Sequence, residues 1–165
     1  MARRRIERGI SLPFDVFALS SRLGAYLDRA LDGTGLRPRE YAIYSLMLEA
    51  GPRTPSELAN ALGVPPSTMS GYIKPMLERG HARRIPNAAD GRSFRVELTE
   101  AGLAAQRKVR PAFNAADRAI LAKLDRSEPE VRDALAAVAD AIERASADLR
   151  ADGPHAPERG QRLDR

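Results

Sequence analysis

Small hydrogen-bonding residues and one cation recur along one side of the stretch 66–74. They are Ser67, Thr68, Ser70, Gly71 and Lys74. The apolar residues around them repeat at spacings of three and four, which is typical of the inner face of a helix; they are Met69, Tyr72, Ile73, Met76 and Leu77. Hydroxyl groups and an ammonium group near the start of a helix can donate hydrogen bonds to phosphate oxygens and base edges. This polar face therefore indicates contact with nucleic acid.

Four arginines follow within a short span of sequence. They are Arg83, Arg84, Arg92 and Arg95. Two strand-like stretches, 81–85 and 93–98, flank the turn-forming segment 86–92, so the pattern predicts a basic β-hairpin. An arginine at such a tip can enter the narrow minor groove, where negative potential is concentrated. Asp90 either orients the guanidinium of Arg92 or ties the loop down, and the sequence leaves both roles open.

Two short helices have to position the polar face. Thr54 and Glu57 have the spacing of a capping box, which predicts that a helix begins there. Gly63 follows the end of that helix, where a left-handed turn favours a residue without a Cβ. A second helix is predicted from residue 65 to about residue 79. Two helices around a tight turn, followed by a hairpin, make a winged helix-turn-helix.

Two further helices are predicted before this motif. Apolar residues at spacings of three and four predict the first from Leu12 to about Leu31. Pro38 begins the second, which ends before Gly51 and carries more apolar surface than one stripe, so it should be buried on several sides. The arginines of residues 1–10 either lie along DNA phosphates or keep an arm soluble.

Two longer helices are predicted after the hairpin. Thr99 is the expected N-cap of the first, and Pro111 should bend it. Ser127 and Glu130 form a second capping box, which begins a helix with an apolar seam. The seam consists of Val131, Leu135, Val138, Ile142, Ala145 and Leu149. It is too short for a free coiled coil, so it should pack against helices of its own chain and of a partner subunit.

Composition limits the classes of function. The 165 residues suit one domain, and 27 basic against 22 acidic residues suit a polyanionic partner without identifying one. The chain has no cysteine and two histidines, which excludes disulfides and thiolate sites and argues against a histidine-rich metal site. We find no nucleophile with a paired base and no phosphate-binding glycine loop, so we expect no catalytic residue, no metal and no cofactor. Without an apolar run of membrane-spanning length, a cytoplasmic protein is expected.

Residues 55–80, PSELANALGVPPSTMSGYIKPMLERG, and residues 83–102, RRIPNAADGRSFRVELTEAG, resemble the MarR family of bacterial transcription regulators. The likeness extends to the D-x-R of the hairpin and to the L-T-x-x-G that follows it. It implies a mainly α fold with a small β-hairpin wing (α+β), in which the N- and C-terminal helices form the dimerisation region. It also implies a homodimer on a pseudo-palindromic operator, usually a repressor and often released by a small ligand.

These interpretations assign the residues and regions as follows. The predicted DNA-binding residues are Ser56, Ser67, Thr68, Ser70, Gly71, Lys74, Arg84, Asp90, Arg92 and Arg95. The predicted regions are 1–36 for an arm and dimerisation helix, 37–98 for the winged helix-turn-helix, 99–152 for C-terminal dimerisation helices and 153–165 for a disordered tail. The tail is assigned because it lacks apolar periodicity.

The second helix of the motif, which the resemblance makes the recognition helix, departs from the family pattern at its start and in its interior. Pro65 stands where the family usually has a serine or threonine cap, so the capping must come from backbone, water or phosphate. Pro75 removes a hydrogen bond to Gly71 and should bend or loosen the helix, and Gly71 itself costs about 1 kcal/mol relative to alanine. These departures bear on the straightness of the helix and on which of its residues contact bases.

A ligand site and a second function are also open. Arg22, Tyr26, Tyr44 and His81 could line a cleft that takes an aromatic or acidic effector, although core packing explains the aromatic residues equally well. The winged helix could instead be a docking surface for a protein. In that alternative the chain is a non-enzymatic, protein-binding adaptor.

Overall fold

A computed structural model describes residues 10–151 of the chain. Within that range it has six helices and one two-stranded antiparallel sheet, which confirms the predicted α+β fold class. The elements are α1 (Leu12–Ala30), α2 (Pro38–Ala50), α3 (Pro55–Ala61), α4 (Pro66–Glu78), β1 (Ala82–Pro86), β2 (Phe94–Leu98), α5 (Glu100–Leu121) and α6 (Glu128–Ala151). The predicted arginine-rich arm at residues 1–10, apart from residue 10, and the predicted tail at 153–165 lie outside the described residues.

The chain divides into two compact units, with the boundary between Ala119 and Ile120. The first unit holds α1 to α4, both strands and nearly all of α5. The second unit holds α6. In the described residues, no helix is both long enough and apolar enough to cross a membrane.

The core of the first unit is built around α2. Tyr41, Ile43, Tyr44 and Met47 of this helix are all buried, as its several apolar sides predicted. Side chains from α3, α4, the hairpin and α5 complete the same cluster, the fully buried ones being Leu58, Met69, Met76, Val96 and Val109. The apolar spacing that predicted an inner face of α4 therefore marks the residues that fix this helix to the domain.

The predicted capping box at Thr54 is complete, and the one at Ser127 has the half in which the glutamate carboxylate accepts from the N-cap N–H. The backbone N–H of Thr54 donates to the carboxylate of Glu57 (2.7 Å), whose own N–H donates to the Thr54 hydroxyl (3.2 Å). Ser127 bonds the carboxylate of Glu130 with its N–H (2.9 Å) and its hydroxyl (2.7 Å). These hydrogen bonds to the charged form lower the pKa of both carboxyl groups. The sequence rule for helix starts thus places α3 and α6 correctly.

The wing is a regular hairpin whose register runs from Ala82 opposite Leu98 to Pro86 opposite Phe94. Its first strand begins one residue later than predicted, because His81 belongs to the turn after α4. On its other side β2 forms a bridge to Arg53, whose N–H donates to the Val96 carbonyl (3.1 Å) and whose carbonyl accepts from the Val96 N–H (2.7 Å). The wing is therefore fixed to the segment that leads into α3.

The backbones of α4, the wing and α5 are hydrogen-bonded to one another where these elements meet. The N–H of His81 donates to the Met76 carbonyl (2.9 Å), and the His81 carbonyl accepts from the Thr99 N–H (3.0 Å). The Thr99 hydroxyl donates to the Gly80 carbonyl (2.7 Å) and accepts from the N–H of Gly102 (3.2 Å). A Cβ on Gly102 would lie 2.0 Å from the His81 carbonyl oxygen, so only glycine fits at this position.

We therefore expect Gly102→Ala to destabilise the protein by about 2 to 4 kcal/mol, since a methyl group against a backbone carbonyl forces the elements apart. Urea unfolding followed by circular dichroism measures the change. Gly24→Ala is the matched control, because Gly24 lies in α1 with nothing within 4 Å of a Cβ and alanine favours the helix. Equal stability of the two variants would contradict the expectation.

The two long helices differ in how far they are buried. α5 continues as one helix past Pro111 to Leu121 and buries Gly102, Gln106, Val109 and Ala116. α6 buries no residue. Its seam is open to solvent in the single chain, with Leu135 and Ile142 each 53% exposed and Leu149 70% exposed. An apolar row of this kind on a charged helix would remain exposed to solvent in a monomer.

Candidate nucleic-acid interface

The predicted polar face of α4 lies on the outside of the domain. All five of its predicted contact residues are exposed, namely Ser67, Thr68, Ser70, Gly71 and Lys74. On the opposite side of the same helix, Met69, Ile73 and Met76 are buried. The core therefore holds α4 by one side and presents the other side to a partner.

Not every polar group on this face is equally available. The Ser70 hydroxyl donates to the Pro66 carbonyl of its own helix (3.0 Å). Lys74 lies 3.8 Å from Glu78, but both side chains are well exposed, so the pair is weak and the ammonium group can exchange partners. Within residues 10–151, the hydroxyls of Ser67 and Thr68 have no hydrogen-bond partner. These two are the best-placed donors of the face.

The start of α4 is as unusual as the sequence predicted. Pro65 occupies the N-cap position and makes no side-chain capping bond. The helix nevertheless continues past Pro75 to Glu78, so the second proline does not end it. The amides of the first turn are thus left for solvent or an anionic partner.

α3 and the turn after it set the direction of α4. Gly63 has φ +61°, the left-handed conformation that its position predicted. The N–H of Val64 donates to the Ala59 carbonyl (3.0 Å) and closes the turn. Leu58 and Ala59 are buried beneath α4, whereas Ser56 is exposed in the first turn of α3.

The wing tip is tied down by its own side chains. The Asp90 carboxylate accepts from the backbone N–H of Arg92 (3.0 Å), and the amide of Asn87 donates to the Ser93 hydroxyl (2.7 Å). Of the two roles left open for Asp90, the structure shows that its carboxylate stabilises the loop. The Arg92 side chain itself is exposed.

The four wing arginines have different surroundings. Arg83 pairs with Glu97 (2.6 Å) across the hairpin, and the Arg84 guanidinium lies 4.5 Å from the centre of the Phe94 ring, a cation–π arrangement. Arg95 is half-buried, with a buried Nε that has no partner in the described part of the chain. Its charge contributes to lowering the pKa of Glu57, after the larger effect of the hydrogen bond from Thr54. Arg92 is the exposed cation at the tip.

The residues of the predicted ligand cleft have different surroundings. Tyr44 and His81 are joined by a hydrogen bond between the hydroxyl and Nδ1 (3.0 Å), and burial raises the pKa of Tyr44 to about 12. Tyr26 donates to the Ala116 carbonyl (3.1 Å), and Arg22 is exposed. A cavity of about 1010 Å³ in the same unit is lined by none of these four residues. In residues 10–151, no group of three or more acidic, histidine or cysteine residues could hold a metal ion.

Known proteins share this arrangement. A MarR family model matches residues 34–93, which span α2 to the wing. The HTH-type transcriptional regulator PecS of Dickeya dadantii is 30% identical over 123 residues, which cover 70% of this chain and 74% of PecS. The chain belongs to the MarR family. It is a transcriptional regulator and not an enzyme.

Two further MarR-type proteins extend the comparison. The transcriptional regulator MosR of Mycobacterium tuberculosis, solved in complex with DNA, has a TM-score of 0.73 and 28% identity, covering 82% of this chain and 98% of MosR. The HTH-type transcriptional repressor Rv2887 of the same species is 28% identical over 107 residues, which cover 62% of this chain and 77% of the repressor. The likeness to MosR extends beyond the residues that the family model matches.

Proposed function

We propose that this MarR-family regulator binds operator DNA sequence-specifically as a homodimer in the cytoplasm and acts as a repressor. The observation that carries the proposal is the one-sided burial of α4, which Met69, Ile73 and Met76 fix to the core while Ser67 and Thr68 stay exposed. In this proposal α4 enters the major groove and Arg92 enters the adjacent minor groove. The relative named a repressor and the DNA complex of MosR support it.

The other predicted contacts take supporting roles in the proposal. Ser56, Lys74 and the amides of the first turn of α4 contact phosphates, because these groups are exposed donors beside the helix face. Arg84 and Arg95 lie in the strands of the wing and contribute positive potential. Asp90 acts indirectly by shaping the loop that presents Arg92.

The exposed apolar rows of the chain support the proposed dimer. The seam of α6 is exposed, and so are Leu12, Phe14, Phe17 and Leu23 of α1. We infer that residues 1–36 and 99–152 supply the dimerisation helices and that residues 37–98 read DNA. Two recognition helices then lie about one helical turn, ~34 Å, apart. Release by a small ligand would act by favouring one spacing of these helices.

Selection of bound duplexes from a random pool tests the proposal. The full chain should enrich a pseudo-palindrome whose half-sites are centred about 10 base pairs apart. The double variant Ser67→Ala/Thr68→Ala keeps the charge of the protein and should lose most of this preference, because it removes base-contacting donors only. Ser20→Ala/Ser21→Ala, at exposed positions of α1, is the control. A pool without enriched sequences at moderate salt would contradict DNA recognition and favour the adaptor.

A further inference from the structure

A cavity of about 1010 Å³ opens beside the inner edge of the recognition helix. Its walls come from the last turn of α1, the α1–α2 loop, the first turn of α2 and the C-terminal half of α4. All of these segments belong to the first unit. The volume is that of a site for a drug-sized molecule.

The charges around this cavity have the opposite sign to the protein as a whole. Four carboxylates line it, those of Asp28, Asp32, Glu40 and Glu78, against the guanidinium groups of Arg37 and Arg79. The lining therefore carries two net negative charges in a chain whose net charge is +5. A concave acidic surface attracts cations and disfavours anions.

The carboxylates of the lining differ in the ion pairs and hydrogen bonds that they already form. Glu40 is 14% exposed, forms an ion pair with Arg79 and accepts from the backbone N–H of Arg37 (3.0 Å). Asp28 and Asp32 are exposed at the rim and form no ion pair within residues 10–151. The unpaired charge is thus concentrated on the α1 side of the cavity.

The rest of the lining is apolar or aromatic. Leu31 and Leu36 are almost fully buried at its base, and Pro38 and Pro75 add carbon surface. The half-buried Tyr72 contributes an aromatic ring from α4. Apolar walls, one ring and unpaired carboxylates together are the chemistry that holds a lipophilic organic cation.

We propose that this cavity binds an organic cation with aromatic or other apolar substituents, and that its occupancy alters DNA binding. The charged centre lies near Asp28 and Asp32, and the substituents pack against Leu31, Leu36 and Tyr72. This site differs from the predicted cleft at Tyr44 and His81, and its ligand has the opposite charge to an acidic effector.

The second part of this proposal, that occupancy of the cavity alters DNA binding, rests on the proposed DNA-binding function. Tyr72, Pro75 and Arg79 belong to or directly follow the helix whose other side carries Ser67 and Thr68, so a bound ligand contacts the recognition helix itself. The ion pair between Arg79 and Glu40 ties this end of α4 to α2 across the cavity. A ligand that fits one position of α4 better than another shifts the population toward that position.

Calorimetry with tetraphenylphosphonium, an apolar cation, tests the site on the full chain. Asp28→Asn/Asp32→Asn should weaken its binding by about tenfold or more, since two favourable charges are lost. Glu78→Gln, a second exposed lining position, should weaken it less. Asp117→Asn/Asp133→Asn, at exposed positions of α5 and α6, is the control for the loss of two negative charges. Tetraphenylborate has the same shape with a negative charge, and the aspartate variants should not weaken its binding.

Two results would overturn the binding site. One is the absence of tetraphenylphosphonium binding to the wild type, and the other is equal affinity in the wild type and in all lining variants. If saturating tetraphenylphosphonium changes duplex affinity at least threefold in the wild type and not in the double aspartate variant, the second part of the proposal is supported. Unchanged affinity overturns it. Failure of duplex binding without the cation would instead overturn the proposed function, and calorimetry would still decide the site.

Discussion

Raising salt from about 50 mM to about 200 mM should weaken duplex binding by about 10⁴-fold. The expectation assumes about eight phosphate contacts in the dimer, which gives a log-log slope near −7 because each contact releases condensed counterions. In each subunit the exposed Lys74, Arg84 and Arg92 and the half-buried Arg95 are the cations available for such contacts. Fluorescence anisotropy with a labelled operator, measured across the salt range, gives the slope.

The variant Arg92→Ala tests how much the wing contributes to this salt dependence. Removing one guanidinium from each subunit should reduce the magnitude of the slope by about two, to near −5. Fold stability should hardly change, because the side chain is exposed and Asp90 holds the loop through the Arg92 backbone. Arg118→Ala, in the last turn of α5, removes the same charge and should leave the slope close to −7. A flat salt response in the wild type would favour the adaptor.

The double variant Leu135→Glu/Ile142→Glu should convert the dimer into monomers and lower operator affinity at least about 100-fold. Both side chains are half exposed in the single chain, so the substitutions should not unfold it. Carboxylates buried between two apolar seams are costly, and a monomer contacts only one half-site. Analytical ultracentrifugation reports the mass, and anisotropy reports the affinity.

Ala136→Glu/Ala147→Glu is the matched control for this variant. These two alanines are exposed on α6 outside the seam and add the same charge to the same helix. The control should remain dimeric and lose only the modest affinity that two added negative charges cost. A dimeric seam variant with wild-type affinity would rule α6 out of the interface.

Local rules predicted the elements of this protein well, because their signals lie within a few residues of each other. The capping box at Thr54, the helix start at Ser127 and the left-handed turn at Gly63 are such signals, and each occurs where predicted. The two strand-like stretches that flank a turn-forming segment also predicted the bounds of both hairpin strands to within one residue. In each case the residue type and the backbone conformation depend on neighbours in sequence.

Features that depend on distant contacts could not be predicted in the same way. The four wing arginines look alike in sequence, yet Arg83 meets Glu97, Arg84 meets Phe94 and Arg92 remains free, because the strand register decides which side chain faces which. The bridge between Arg53 and Val96 has no sequence signature either. The acidic cavity was missed because Asp28 and Tyr72 belong to helices that only the fold brings together.

The junction at His81 has a mechanical consequence. Its N–H donates to Met76 of α4 and its carbonyl accepts from Thr99, so the backbone of one residue joins the recognition helix, the start of the wing and α5. When α5 moves, α4 and the wing therefore move with it, and the angle between α4 and the wing stays constant. The spacing of contacts on a duplex must therefore change by rigid-body movement of whole DNA-binding domains. Weakening the hydrogen bonds at His81 should weaken the contacts in both grooves together.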